Sequence, residues 1–241
     1  MERRGYVIEA EVDDVRLRDK GIVIAIDGPS GSGKSSTSRG VARELGLRYL
    51  DTGAQYRAMT WWMLEHGVDL EDGGAIAAAS LWPLLESGTD PDEPAVSADG
   101  LRVDAEIRSA AVTAMVSRVA GVPAVRTRLV ESQREYVRGA LAAGAGIVVE
   151  GRDIAEVVWP VAETKIYLTA DQSVRAARRE AENGGADVAR TLADLARRDA
   201  EDARTTRPME AAAGAVVVDG SYLTLTEVVA EIVGIATSVR R

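Results

Sequence analysis

Apolar and polar positions along this chain fall into two regimes, short unbroken apolar runs and longer stretches with helical spacing, and the regimes take turns. The runs IVIAID (22–27), GIVVE (146–150), KIYL (165–168) and AVVVD (215–219) are rich in β-branched residues, as expected of strands buried on both faces of a parallel sheet. A shorter strand, LRYLD, ends at Asp51. Between the runs, helices are predicted from about Lys34 to Leu45, with Gly46 as its stop, and from Thr52, read as an N-cap, through Tyr56, Trp61 and Leu64 to Gly67. A further helix follows Pro123, with Val125, Leu129, Val130, Tyr136, Val137 and Leu141 at helical spacing. Two more are predicted near Asp171–Glu182 and at about 187–203, separated by the break NGG, and Thr224 with Glu227 offers a capping box for a last one. Strand, helix, strand implies a parallel sheet with right-handed crossovers, so the expected fold is α/β, five parallel strands between helices on both faces.

The stretch from about 68 to 108 breaks this rhythm. Gly, Pro and Asp become frequent, and PAVSADGLRVDAEI alternates around Asp99-Gly100, a hairpin signal. It is expected to be a small module inserted into one domain. That domain would span 21–241, with its core at 21–67 and 109–241; residues 1–20, of mixed charge and little periodicity, read as a loosely ordered extension. His66, just before Gly67, stands where a cation favours a helix C-terminus. Trp61 and Trp62 read as packing, because adjacent helical positions point to different faces.

Composition narrows the chemistry. A length of 241 residues suits one α/β domain with insertions. A formal charge of −9 argues against a general nucleic-acid binder, which needs a basic face. Only Lys20, Lys34 and Lys165 are lysines, so almost every cation is an arginine, whose planar fork suits phosphate and base edges. The absence of cysteine removes disulfides, thiolate zinc sites and a catalytic thiol, and His66 as sole histidine argues against Ser-His-Asp chemistry and histidine metal centres. With neither a signal peptide nor a bilayer-length apolar stretch, the expected location is cytoplasmic, without membrane contact.

The most specific signal is Gly28-Pro29-Ser30-Gly31-Ser32-Gly33-Lys34-Ser35, a strand running into Gly-x-x-x-x-Gly-Lys-Ser and then a helix. The glycines let backbone N–H groups approach phosphate oxygens at the positive end of that helix. Lys34 can reach the β and γ phosphates, and the Ser35 hydroxyl can ligate magnesium. No Asn-Lys-x-Asp guanine reader exists, since Asn183 is the only asparagine, and the GIVVE strand ends in Glu150-Gly151-Arg152-Asp153 rather than Asp-Glu. Phosphoryl transfer to a small acceptor is the class left in favour.

DTGAQYRAM, EIRSAAV, VPAVRTRL, VVEGRDI and KIYLTA together resemble bacterial cytidylate kinases in spacing and residue type, over about residues 21–235. The resemblance implies a P-loop kinase with a three-layer fold, an acceptor-binding insert at 68–108 and a lid at about 180–192, transferring the γ-phosphoryl of MgATP to CMP or dCMP. It implies that Gly28 through Ser36, Pro29, Ser30, Ser32 and Gly33 included, bind ATP with Mg2+ at Ser35. Thr52, Tyr56, Arg57 and Arg152 would line the monophosphate site; Ser117, Arg126 and Asp153 would read cytosine; Arg198 and Asp202 would lie by the sugar. Lys34, Arg57, Arg152 and Arg198 would carry catalysis, in a monomer whose partners are ATP and CMP or dCMP. The chain departs from the family pattern at Ala155 and Glu156, after Gly-Arg-Asp-Ile, and at Thr205, where an arginine is expected and Arg204 or Arg207 could substitute. Arg175, Arg179 or Arg190 could reach phosphates on closure of the lid. Two other readings stay open: a P-loop kinase for another small acceptor, and a nucleotide-binding protein that has lost transfer.

Overall fold

The computed structural model describes residues 21–182, 188–203 and 210–238, the side chains of 182, 188–191, 194 and 198 excepted. Its centre is β1 (Val23–Asp27), every residue of which is buried. Around it lie β2 (Arg48–Asp51), β6 (Ile147–Gly151), β7 (Thr164–Thr169) and β8 (Val216–Asp219), in the order β2-β6-β1-β7-β8. All four pairings are parallel, with Ala25 opposite Val149 and Lys165. These are the five strands expected from the apolar runs.

The lack of polar alternation in β1 now has its cause. Ile22, Ile24 and Ile26 point to one face, against Val41, Ala42 and Leu45 of α1 (Lys34–Leu45) and Ile232 and Ala236 of α8 (Leu225–Ser238). Val23 and Ala25 point to the other, with Val130, Val137 and Ala140 of α5 (Pro123–Ala142) and Ile154 and Val158 of a five-residue π-helical turn (Ile154–Val158). Successive strand residues face opposite sides, so a sheet covered twice needs apolar residues at every position.

The second helix, α2 (Thr52–Glu65), corrects the cap reading: its N-cap is Asp51, whose Oδ1 accepts from Ala54 N at 2.9 Å. Thr52 is the first helical residue; it is buried and donates its hydroxyl to Glu150 O at 2.7 Å. An extended backbone at Asp51 with its carboxylate turned forward supplies the cap, which leaves the threonine hydroxyl for the neighbouring strand. At the far end His66 Nδ1 lies 2.8 Å from Trp62 O, with the ring stacked on Trp62. Thr224 and Glu227 exchange the bonds of a capping box before α8, as expected.

Beyond α2 the chain leaves the sheet through α3 (Gly73–Ala79) and an antiparallel sheet of β3 (Leu85–Ser87), β4 (Val96–Ala98) and β5 (Leu101–Arg102). The β4–β5 turn is Asp99-Gly100, with φ of 51° and 78°, the paired positive values that a two-residue hairpin requires. Asp99 also accepts from Leu84 N at 2.8 Å and from Trp62 Nε1 at 2.6 Å, tying the turn to α2. The loop before β4 returns to the main sheet: Thr89 O takes Tyr49 N at 2.9 Å, and Arg39 and Arg43 of α1 donate to Pro91 O. That contact occupies backbone on the outer side of edge strand β2. A 3-10 turn (Glu106–Arg108) and α4 (Ala110–Ala120) lead back to α5.

Two helices, α6 (Gln172–Glu182) and α7 (Val188–Asp202), lie between β7 and β8 in sequence; the NGG break expected in the lid falls at 183–185, outside the described residues. Among the described residues no helix is long and apolar enough to cross a membrane.

The tightest approach in the sheet lies where β1 ends. A Cβ on Gly28, whose φ is +149°, would stand 2.1 Å from Leu168 O of β7, and backbone cannot yield as a flexible side-chain tip would. Gly28→Ala is expected to cost roughly 3 kcal/mol in urea unfolding, from strain and displacement of β7. A loss below about 0.5 kcal/mol, the range of ordinary surface changes, would contradict this approach.

Candidate functional site

The chain leaves β1 at Asp27 and turns into α1 through three glycines with positive φ, Gly28, Gly31 and Gly33. Gly33 is the N-cap of α1, and no side chain caps that helix, so its first N–H groups are left to an anion. A loop whose N–H groups point inward must turn its carbonyls outward. Here cations meet them: Arg152 Nη1 donates to Gly28 O at 2.9 Å, Lys34 Nζ to Pro29 O at 2.7 Å, Arg175 Nη1 to Ser30 O at 2.9 Å and Arg178 Nη1 to Ser32 O at 3.0 Å. Arg175 is itself buried and paired with Asp199 of α7 at 2.7 Å, and Asp199 Oδ1 accepts from Ser30 N at 3.4 Å.

The loop opens onto a cavity of about 660 Å³. Of the residues expected to bind ATP, Ser30, Gly31, Gly33, Lys34, Ser35 and Ser36 line it. Gly28, Pro29 and Ser32 stand behind the lining: Gly28 is against β7, Pro29 offers its carbonyl to Lys34, and Ser32 is buried with no partner for its hydroxyl among the described residues. Of the expected acceptor residues, Thr52, Tyr56, Arg57, Ser117, Arg126, Arg152, Asp153 and Asp202 all line the same cavity. The side chain of Arg198 lies outside the described residues, as do Arg190, Arg204, Thr205 and Arg207.

On the acceptor wall the side chains hold one another. Arg126 pairs with Asp153. Ser117 Oγ donates to Asp202 at 2.9 Å, and the same carboxylate takes Arg152 Nε at 3.0 Å. Arg152 therefore links Asp202 of α7 to Gly28 of the glycine loop. Arg57 Nη1 donates to Ile107 O and to Thr113 Oγ1, each at 3.0 Å.

Several lining residues were not singled out from the sequence. Glu150, one residue before the end of β6, is buried; its Oε1 accepts from Tyr49 Oη at 2.5 Å, and Oε2 has no partner among the described residues. Burial first, and Asp51 next, push its carboxyl above the usual range. Lys34 is shifted down, by burial and then by Arg152, with Glu150 opposing. The signal for Glu150 was its place at the C-terminal end of a central strand, where open α/β sheets bind ligands. Arg39, Asp51 and Arg108 also line the cavity, and so does Arg179, one of the three arginines considered for the lid. Arg175 is not among the lining residues; it serves the back of the glycine loop.

The departures after Gly-Arg-Asp-Ile have a structural account. Asp27 accepts from Ile154 N at 2.8 Å and Ala155 N at 2.9 Å, holding the π-helical turn to β1. The Ala155 methyl packs among Ile154, Val158 and Ala162 at 3 % exposure, and Glu156 points outward, away from the lining. No new anion enters the cavity at this turn.

A family model described as cytidylate kinase matches residues 24–238. A cytidylate kinase of Streptomyces avermitilis is 53 % identical over 209 residues, 86 % of this chain and 89 % of that protein. One from Nocardia farcinica is 51 % identical over 219 residues, 89 % of this chain and 93 % of its own. Among solved structures, an unliganded sugar kinase from Janibacter sp. HTCC2649 aligns over 91 % of this chain at a TM-score of 0.46 and 15 % identity, too distant to bear on the site.

Asp27, which holds the π-helical turn and does not line the cavity, makes stability sensitive to pH. Burial raises its carboxyl from 3.8 to about 6, against the Ala155 and Ile154 bonds that favour the charge. The folded protein then holds this proton more tightly than the unfolded chain, so stability falls as pH rises from about 4 through 6. Between about pH 4.5 and 7.5 the wild type should lose roughly 2 kcal/mol relative to Asp27→Asn, which cannot titrate. Parallel stability profiles for the two proteins would refute it.

Proposed function

This chain belongs to the cytidylate kinase family, and we propose that it transfers the γ-phosphoryl group of MgATP to CMP or dCMP, giving the nucleoside diphosphate and ADP. The observation that carries this reading is one cavity whose walls hold the glycine loop with Lys34 on one side and the Arg126–Asp153 pair with Arg57 on the other. Two anions must be brought together, one on the loop and one on the arginine wall.

The acceptor atom is a phosphate oxygen that already carries negative charge, so no general base has to remove a proton. What the protein must supply is alignment of two anions and stabilisation of charge on the group in flight. Lys34 is placed for this: its ammonium rests on Pro29 O and can transfer to phosphate when nucleotide fills the loop. Arg152 sits where donor and acceptor walls meet, between Gly28 O and Asp202. Arg57, held by Ile107 and Thr113, lines the cavity where its guanidinium fork can meet the acceptor phosphate.

Magnesium fits the donor side. The Ser35 hydroxyl and Asp51 line the cavity, and Glu150 Oε2 is a buried oxygen without a partner among the described residues, a suitable donor set for an ion that keeps several waters and takes the rest of its ligands from phosphates. Bound there, it would neutralise charge on the β and γ oxygens.

Base choice follows from hydrogen-bond direction. Asp153 can only accept when ionised, and cytosine offers its exocyclic amine; Arg126 and Ser117 can donate to the ring carbonyl and N3. Uracil presents a carbonyl at the amine position, setting acceptor against acceptor in a partly buried site.

Asp153→Asn should lower kcat/KM for CMP by about a hundredfold, while nucleotide binding to the loop stays within about twofold. Lys34→Ala should abolish turnover. Unchanged use of CMP by Asp153→Asn would show that this wall does not read the base and would overturn the assignment of acceptor.

A further inference from the structure

The segment that carries two residues of the acceptor wall leaves the sheet and returns to it at once. Gly151, the last residue of β6, stands opposite Asp27 of β1. Ile154 N then donates to Asp27 Oδ1 at 2.8 Å, and Ala155 N to Oδ2 at 2.9 Å. Arg152 and Asp153 are the residues between these fixed points. The peptide that joins Asp153 to Ile154 is engaged at both ends, because Asp153 O accepts from Val157 N at 2.8 Å and from Val158 N at 3.3 Å. From this held backbone the Asp153 side chain pairs with Arg126, and that of Arg152 with Gly28 O and Asp202.

Asp27 is 6 % exposed and lies outside the cavity lining, so substrate has no route to it. Its charge is costly where it stands. Burial pushes the carboxyl up to about 6, which means that at neutral pH the fold holds the anion against its preference. What the anion provides is geometry: an ionised carboxylate offers two acceptor oxygens on one carbon, one for each of two successive N–H groups. An amide of the same shape turns a donor toward one of them. Asp27 also ends the strand that runs into the glycine loop at Gly28, so one residue anchors the base-reading turn and the start of the phosphate cradle.

We propose that Asp27 is a positioning residue of the reaction: by accepting from Ile154 N and Ala155 N it sets Asp153 for the base and Arg152 between the donor and acceptor walls. The proposal rests on the reading above that this wall reads cytosine. Discrimination by hydrogen-bond direction works only while donor and acceptor stay in register, and small displacements of an aligned group are expensive in rate. Loss of either bond frees the turn on the side of Asp153, whereas Lys34 and its contact with Pro29 O are untouched. The effect of Asp27 is therefore felt by the acceptor and its base, and hardly by ATP.

The test compares Asp27→Asn with the wild type at about pH 8, where Asp27 is ionised, by kinetics with CMP and UMP and by calorimetric titration with CMP, UMP and ATP. Asp27→Asn should lower kcat/KM for CMP about tenfold to a hundredfold, with a raised KM, and shrink the preference for CMP over UMP about tenfold, while Kd for ATP stays within about twofold. A merely structural role would reduce the folded fraction, cutting kcat for both nucleotides by one factor and leaving KM and the preference unmoved. That result, or unchanged kinetics, would overturn the assignment. Should Asp27→Asn fail to fold, amide hydrogen exchange in the wild type decides: Ile154 and Ala155 N–H should be protected, and more so with CMP than with UMP. Exchange at the rate of an open loop, or protection indifferent to the base, would overturn it. A wild type that binds CMP without transferring phosphate would overturn the kinase reading, and the CMP-to-UMP binding ratio in Asp27→Asn would still decide the role of Asp27. A wild type that binds CMP and UMP alike would overturn both.

Discussion

A glycine loop that turns its N–H groups toward an anion cannot leave the opposite side of its peptides unsatisfied. Carbonyls aimed away from the ligand need donors, and in a buried loop those donors must come from side chains. Here they are Arg152, Lys34, Arg175 and Arg178 on the carbonyls of Gly28, Pro29, Ser30 and Ser32. The four come from three stretches of chain, so the loop's shape is specified by the π-turn region, by α1 and by α6 together. Arg175 extends the constraint to α7 through Asp199, whose carboxylate returns to Ser30 N. The conformation that binds phosphate is thereby a property of the whole sheet end.

The same economy governs the acceptor wall. Buried charges are costly unless paired, and the cavity wall pairs its own: Arg126 with Asp153, and Arg152 and Ser117 with Asp202. Substrate binding is then an exchange of hydrogen bonds within a fixed frame, which favours ligands whose donors and acceptors replace every bond displaced. Cytosine with an anionic phosphate can do so. The network also couples the two sides, since Arg152 touches both the glycine loop and the carboxylate of α7.

Much of this was legible in the sequence, for a physical reason. A parallel sheet covered on both faces demands apolar residues at every strand position, so IVIAID and GIVVE announce themselves without alternation, and a glycine spacing that fixes backbone angles announces the loop between Asp27 and Lys34. Residues whose role is set by tertiary neighbours were harder. Thr52 has the chemistry of a good cap, but Asp51 immediately before it turns its carboxylate forward, and Glu150 O takes the threonine hydroxyl. Glu150 had only its place at the end of the GIVVE run to mark it, and Arg39 carries no local signal of its own; the sheet order β2-β6-β1 and the face of α1 bring them to the cavity. Val112, Val116 and Val119 carry the helical spacing of α4 inside an alanine-rich stretch, whereas the π-helical turn depends on Asp27, far away in sequence, accepting two N–H groups. Ala155 and Glu156, which in sequence put an anion beside phosphates, are resolved by direction: one packs inward on apolar neighbours and the other faces solvent.

The central claim is that one cavity joins a phosphate donor held by the glycine loop to an acceptor chosen for its cytosine. The most direct measurement is ADP release from MgATP with CMP, dCMP, UMP, AMP and shikimate offered one at a time to the same protein. Rapid release confined to CMP and dCMP is the result this account predicts. Release driven equally well by UMP or AMP, or by shikimate alone, or no release with any acceptor despite tight ATP binding, would contradict it.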